Sequence, residues 1–262
     1  MARQPPNALA HRQTIVERLQ GRAPVVFLDF DGTLTPIVGR PELAALNGRM
    51  HETLERLSRT VTTAIVSGRA CADVRKRVGI ERLYYAGNHG LEIEGPDGAS
   101  HYRLGDEYRE DIQGFADEIS KRLSHIDGVI VENKDLSLSV HYRLARSAHA
   151  AEIESAVDSL LAHFRRLHKR HGKKVFEIRP GIDWHKGKAV LWLLQALEAT
   201  LESAIYIGDD ETDEDAFREL HGRGLGVRVG RGGATSAADY ILEDTDQVRR
   251  FLEMLISLAA PA

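Results

Sequence analysis

Along this chain the hydrophobic rhythm changes in ways that predict the elements. Val25-Val26-Phe27-Leu28 is an unbroken apolar run, entered through Pro24 and left through Gly32, as expected of a strand buried on both faces. Ahead of it, residues 8–20 read as a polar, amphipathic helix. Leu43, Leu46, Met50, Leu54 and Leu57 recur at helical spacing and predict a helix over 42–58. Thr62 to Val66 is a second buried strand, closed by Ser67-Gly68, and a helix is expected over 70–78. Leu83 to Ala86 is a third, short strand ending in Gly87-Asn88-His89-Gly90. Strand alternating with helix at this spacing predicts a parallel sheet with helices on its faces.

The middle of the chain has a different pattern. Leu91–Glu94 and His101–Leu104 flank Gly95-Pro96-Asp97-Gly98, a hairpin signal. A helix over 106–124 follows, then an antiparallel pair, Val129–Glu132 with Ser137–Tyr142, around Asn133-Lys134-Asp135. A second helix is predicted over 148–169, ahead of a strand at Lys174–Ile178. This is an α+β unit. After Pro180-Gly181 the first pattern resumes: a helix over 186–198, a strand at Ala204–Ile207, a helix over 212–220, strands at Gly224–Val229 and Tyr240–Leu242, and a closing helix over 245–258. The fold class is therefore α/β, with a sheet domain built from both ends of the chain (1–92 and 179–262) and an inserted domain at 93–178.

Composition narrows the function classes. The 262 residues carry a net charge of −4, which gives no footprint for nucleic acid or for an anionic membrane. Cys71 is the single cysteine, so no disulfide forms within the chain. No apolar run approaches a membrane span, and the polar segment Met1–Gln20 has no signal-peptide core. A soluble, cytoplasmic protein is expected, and a monomer, with a small molecule as its partner.

The chemistry gathers where strands end. In open α/β sheets ligands bind beyond the carboxyl ends of the parallel strands. The first strand ends in Asp29 and Asp31, the second in Ser67, Gly68 and Arg69. The helix after the insertion opens with Lys186, and the next strand ends in Asp209, Asp210 and Asp213. These residue types suit phosphoryl transfer, which needs a nucleophile, a cation and fixed donors around the phosphate oxygens. Asp29 can attack phosphorus, and Asp31 can give a proton to the leaving oxygen and take one from water. Ser67 with the N–H groups of a helix start, and Lys186, can hold the phosphate. Asp209, Asp29 and the backbone carbonyl of Asp31 offer an all-oxygen shell of the kind Mg2+ prefers. Each group also has a plainer reading. Ser67 suits a helix cap, Lys188 competes with Lys186, and Thr212-Asp213-Glu214-Asp215 is a capping box.

The order Asp29-Phe30-Asp31-Gly32-Thr33, Ser67, Lys186, Gly208-Asp209-Asp210 resembles the motifs of haloacid dehalogenase-like (HAD) phosphohydrolases. Ser67-Gly68-Arg69, Gly87-Asn88-His89-Gly90, Glu132-Asn133-Lys134, His141-Tyr142-Arg143, Arg179-Pro180 and Gly208-Asp209-Asp210-Glu211-Thr212-Asp213-Glu214 resemble the trehalose-6-phosphate phosphatases more closely. That resemblance implies a Rossmann-like HAD core with an inserted cap domain, and a Mg2+-dependent hydrolysis through an aspartyl phosphate. It implies Asp29 as nucleophile and Asp31 as acid/base, with Ser67 and Lys186 on the phosphate. Asp29, Asp31 and Asp209 would hold the metal, supported by Asp213 and Asp210. Arg69, Asn88 and His89 would lie near the sugar phosphate, and Glu132, Lys134, Arg143 and Glu177 would grip sugar hydroxyls.

Glu132 and Lys134 are two apart, so in an extended segment they share a face and suit vicinal hydroxyls; apart from the resemblance, their pattern favours a cross-strand ion pair on a solvated sheet. The run His163 to His171 is rich in His, Arg and Lys and reads as a solvated helix end stopped by Gly172. Besides trehalose 6-phosphate, the same chemistry would serve sucrose phosphate or a glucosyl-glycerate phosphate. A non-catalytic sugar-phosphate sensor would use the same pocket.

Overall fold

The computed structural model describes residues 5–98, 100–231 and 235–259. A 3-10 turn at Ala8–His11 and helix α1 (Arg12–Leu19) lead into β1 (Val25–Leu28). Then come α2 (Gly48–Thr60), β2 (Thr62–Val66), α3 (Cys71–Val78), β3 (Tyr84–Gly87), β4 (Glu92–Glu94) and β5 (Ser100–Arg103). The middle holds α4 (Arg109–Arg122), β6 (Ile130–Asn133), β7 (Leu138–His141), α5 (Ala150–Leu161), β8 (Leu167–Gly172) and β9 (Val175–Pro180). The chain closes with α6 (Lys186–Ala196), β10 (Ala204–Gly208), α7 (Glu214–Leu220), β11 (Leu225–Val229), β12 (Tyr240–Leu242) and α8 (Thr245–Ala259). Among the described residues no helix is long and apolar enough to cross a membrane.

Two units emerge: Met1–Tyr102 with Trp184–Ala262, and Arg103–Asp183. In the first, strands run in the order β12-β11-β10-β1-β2-β3-β4-β5. The stretch from β12 to β3 is parallel, and β4 turns back antiparallel along β3. Alternate residues of β1 serve opposite faces. Val26 and Leu28 pack with α2, α3 and α8; Val25 and Phe27 pack with α6 and α7. Helices on both faces explain why β1 is apolar at every position. From β1 the order runs outward to β2 and β3, and after the insertion it resumes on the other side with β10. The β1–β10 boundary is therefore the topological switch point, where the carboxyl ends of neighbouring strands open a crevice.

The second unit is a four-stranded antiparallel sheet, β6-β7-β9-β8, with α4 and α5 on one face. Ile112, Phe115 and Ile119 of α4 and Ile153, Val157 and Leu160 of α5 meet Leu138, Val140, Phe176 and Ile178 of the sheet.

Two expectations shift here. The hairpin at 91–104 places β4 and β5 on the large sheet, so the units part after Tyr102 and after Asp183 instead of at 93 and 178. The helix expected over 148–169 stops at Leu161, and the basic run contains the edge strand β8 in place of a helix end. Its alternation is written in charged side chains. Leu167 is buried, and Lys169, two residues on, holds its Nζ 5.1 Å from the Phe176 ring centroid and reaches Glu154 and Asp158 of α5. His168 and Arg170 point away. Exposed charges on an edge strand discourage pairing with another sheet.

Candidate active site

Asp29 follows β1 directly, and its N–H continues the ladder by donating to the carbonyl of Ile207 at 2.9 Å. The chain then folds back on itself: the amides of Leu34 and Thr35 donate to the Phe30 carbonyl, and Gly32 donates to Thr35. Phe30 turns into the core, which leaves Asp29 and Asp31 on the crevice side. Gly32 has φ +88°, and a Cβ there would stand 2.4 Å from the Asp209 carboxylate. The turn after β1 thus lies directly against the end of β10, and only glycine permits that approach.

Lys186, the first residue of α6, is 2% exposed and bridges two carboxylates. Its Nζ donates to Asp29 Oδ1 at 2.6 Å and to Asp213 Oδ1 at 2.7 Å. Lys188 is half-buried, with its amide donating to His185 Nδ1 at 3.3 Å, and of the two lysines it is Lys186 that meets these carboxylates. Burial opposes the charge on Lys186, but Asp213 and Asp29 outweigh it and hold the ammonium well above its ordinary pKa. Burial is also the largest influence on Asp29. Lys186 opposes it, Asp213 and Asp209 reinforce it, and the carboxyl is lifted well above the usual carboxylate range.

Ligand oxygens of Asp29, Asp209 and Asp213 lie within 4.8 Å of one another, an all-oxygen set suited to a hard divalent cation. The side chain of Asp31 is outside this group. Asp210 is spent on structure: its carboxylate accepts from the Glu211 amide, and its own amide donates to Asp213 Oδ2 at 2.9 Å. A capping box is present, as read from the sequence, but it runs from Asp210 to Asp213, two residues earlier than Thr212–Asp215.

Arg69 takes a place that the motif alone did not indicate. Its Nε and Nη2 donate to Asp31 Oδ2 and Oδ1, both at 2.7 Å, in a bidentate pair. Nη1 reaches Asp73 at 2.9 Å, and Nη2 also donates to the Pro41 carbonyl at 2.8 Å. Arg77 holds the other side of Asp73 and donates to the carbonyls of Glu42 and Ala44. Arg69 therefore serves Asp31 in this structure, and Asp73 anchors Arg69. Ser67 is buried, but it is not the cap of α3. That helix begins at Cys71 after Ala70, and Ser67 Oγ accepts from the Arg69 amide within the preceding turn.

Asn88, His89 and Gly90 have φ of 50°, 57° and 91°, three left-handed residues in succession. Such strain gathers where a loop has a task. The amides of Asn88 and His89 donate to the carbonyls of Arg69 and Ser67, and a Cβ on Gly68 would meet the His89 ring at 2.5 Å. The loops after β2 and β3 are thereby interlocked, with both polar side chains buried.

Within the second unit, register places Glu132, Ser139, Glu177 and Arg170 in one row across β6, β7, β9 and β8. This is the sheet face opposite the one that carries Val140 and Phe176 against the helices. Glu132 accepts from or pairs with His141 Nε2 at 2.8 Å, and Glu177 pairs with Arg179. Lys134, 7% exposed, follows β6 at the sheet end where the chain enters and leaves this unit; neighbouring Asp135 pairs with Arg103. Arg143 departs from the expected cluster. It lies past the other end of β7, is exposed, and donates to the Lys173 carbonyl of the β8–β9 turn.

Sequence reasoning missed Asp73, Tyr206 and Glu214. Asp73 lies four residues from both Arg69 and Arg77, a spacing that signals helix-face ion pairs. Tyr206 sits inside an apolar run and reads as core. Glu214 looked like a helix-start acid, yet it accepts from Ser236 Oγ and the Ala237 amide.

Comparison with known proteins agrees with this geometry. The sequence matches the family described as trehalose-phosphatase over residues 27–245. It is 38% identical over 268 residues to trehalose 6-phosphate phosphatase RA3 of Zea mays, covering 95% of this chain and 74% of that protein. The fold superposes on the C-terminal domain of a C. albicans trehalose-6-phosphate phosphatase with a TM-score of 0.81 at 23% identity, over 98% of this chain and 100% of that one. A haloacid dehalogenase-like hydrolase from Bacteroides thetaiotaomicron matches with a TM-score of 0.66 at 19% identity, over 89% of this chain and 100% of that one. The carboxylates at the β1–β10 switch point, the buried lysine between them and the sequence match over most of its length together make this chain a member of the trehalose-phosphatase family, on a haloacid dehalogenase-like fold.

Proposed function

We propose that the protein hydrolyses trehalose 6-phosphate to trehalose and inorganic phosphate, with Asp29 as nucleophile. The observation that carries this reading is the buried Asp29–Lys186 pair beside Asp209 at the switch point, in a chain of this family.

The chemistry follows from the residues. An Asp29 carboxylate oxygen attacks phosphorus, a P–O bond forms, and the bond to O6 of the sugar breaks. The departing alkoxide takes a proton from Asp31. Water then attacks phosphorus, Asp31 accepts the water's proton, and the bond to Asp29 breaks to regenerate the carboxylate. Lys186 supplies a fixed positive charge beside the phosphoryl group through both steps. Ser67 and the amides of its turn bind a phosphate oxygen. In the present arrangement each Asp31 oxygen accepts one hydrogen bond from Arg69. Asp73 and the Pro41 carbonyl hold the same guanidinium in place beside Asp31.

Mg2+ fits the oxygen-only donor set, and Asp29, Asp209 and the backbone carbonyl of Asp31 would hold it, with Asp213 behind. When bound it screens the phosphate oxygens against the approaching carboxylate. Asn88 and His89 would contact the sugar phosphate. Glu132, Lys134 and Glu177, on one face or end of the smaller sheet, would bind hydroxyls of the uncharged sugar. Arg143 is left out of that set by its position.

Phosphate release from a panel of sugar phosphates, with Mg2+ and with chelator, tests the proposal. Trehalose 6-phosphate should be the preferred substrate and chelation should stop turnover. Preference for sucrose phosphate or a glucosyl-glycerate phosphate would overturn the substrate while keeping the chemistry. Tight binding with no release would point to a sensor.

A further inference from the structure

Tyr206 is fully buried in β10, with its ring edge-on to Phe217 at 5.7 Å and its hydroxyl 2.6 Å from Asp213 Oδ1. That oxygen also takes Lys186, at 2.7 Å. The second Asp213 oxygen accepts from the Asp210 amide at 2.9 Å. Gly208 is two residues from Tyr206 on the same face of the strand, and a Cβ there would lie 2.3 Å from the Asp213 carboxyl carbon. The strand thus clears space for this carboxylate at one position and grips it from another. Asp213 is 0% exposed, and its Oδ1 is saturated by the two donors.

We propose that Tyr206 is a positioning residue for the phosphate-binding lysine. Its hydroxyl fixes Asp213 Oδ1, and Asp213 in turn aims the Lys186 ammonium at Asp29 and at the phosphoryl group Asp29 receives. Tyr206–Asp213–Lys186–Asp29 is one continuous chain of buried hydrogen bonds. The plain alternative is a core tyrosine whose hydroxyl happens to be satisfied. That role would affect stability and nothing else. A metal-holding role for Asp213 Oδ1 is a third possibility, and it predicts a change in Mg2+ binding.

The role given to Lys186 rests on the phosphatase reading. The two fail separately. Wild-type protein that releases phosphate from no sugar phosphate defeats that reading, whereas the variants below are judged on binding of inorganic phosphate and of Mg2+, for which no sugar is needed.

Tyr206→Phe removes only the hydroxyl and keeps the ring on Phe217. Calorimetry should show inorganic phosphate bound about tenfold more weakly in the presence of Mg2+, the lower end of what one hydrogen bond to a charged group supports. Mg2+ itself should bind as in the wild type. With trehalose 6-phosphate, kcat should fall and KM should rise, because the lysine that the hydroxyl positions meets the phosphate in substrate and transition state alike, while the sugar contacts are untouched. Phe217→Leu loosens the same ring without touching the hydroxyl bond; it should lower Tm and leave phosphate affinity unchanged. Wild-type phosphate affinity and kcat in Tyr206→Phe would overturn the proposal. So would an equal loss of phosphate affinity in Phe217→Leu, or Mg2+ binding weakened in parallel with phosphate.

Discussion

Asp29 carries three demands at once: burial, a lysine on one oxygen and two further carboxylates nearby. Its raised pKa means that the folded, metal-free protein holds a proton the unfolded chain would release. The sign follows from that. Below the ordinary carboxylate range both states are protonated and nothing is lost. Stability then declines as pH rises from that range through the folded value, and above it the loss is complete. A cation must displace the proton, so Mg2+ affinity should climb with pH over the same interval and then level off. Calorimetry across pH, in buffers of different ionisation enthalpy, should show proton release on binding; affinity independent of pH would contradict the assignment. Asp29→Asn should abolish phosphate release while the circular dichroism spectrum and thermal transition stay close to wild type. Measurable turnover in that variant would remove Asp29 as nucleophile. Asp29, Lys186 and Asp209 were legible in the sequence because each stands where an apolar run stops or a helix starts. The work of Arg69 on Asp31 was not, because 38 residues separate the partners and only the sheet brings them together.

At the scale of elements, two close approaches make the site. Gly32 lets the turn after β1 lie against Asp209, and Gly208 lets Asp213 fold onto the end of β10. Gly32→Ala would need both a left-handed conformation and a carboxylate displaced. It should cost at least about 1–2 kcal/mol from the backbone alone, measured by denaturant unfolding, and weaken Mg2+ binding as Asp209 is pushed aside. An unchanged unfolding midpoint would contradict the close approach. Helix α3 provides a second check. Cys71 at its start is buried, with Sγ 3.4 Å from the Tyr85 carbonyl, and burial, with Glu94 and Glu92 adding to it, pushes its thiol far above the ordinary value. The thiol should resist iodoacetamide at pH 8 and react only as the protein unfolds. Rapid labelling of the native state, read by mass spectrometry, would show that α3 opens locally. Helices and buried strands were legible because their periods are written in leucine, valine and isoleucine. Strand β8 was not, since its inward positions are Leu167 and Lys169, and a lysine over Phe176 leaves no hydrophobic alternation to read.

At the scale of the whole molecule, the interrupted sheet explains why residues 157 apart in sequence, Asp29 and Lys186, form one pair. The first segment lays down β1 to β3, the insertion leaves, and the returning chain adds α6 and β10 on the opposite side of β1. That both ends of the chain build one sheet was legible from the two blocks of alternating strand and helix; the side of β1 on which the returning strand pairs was not. The limits of the insertion were not, because a hairpin that extends a parallel sheet at its edge reads the same as one that begins a new domain. In the smaller unit, Glu132, Lys134 and Glu177 share one face or end of a sheet whose other face is closed by helices, while Arg143 lies at the far end. On the proposed function, this architecture hydrolyses a phosphorylated disaccharide at Asp29. The most direct measurement is phosphate release by the purified wild-type protein from trehalose 6-phosphate and competing sugar phosphates, with Mg2+ and with chelator. Rapid release is expected from trehalose 6-phosphate, markedly slower release from the others and none after chelation. Equal or faster release from another sugar phosphate, or turnover that survives removal of the metal, would contradict it.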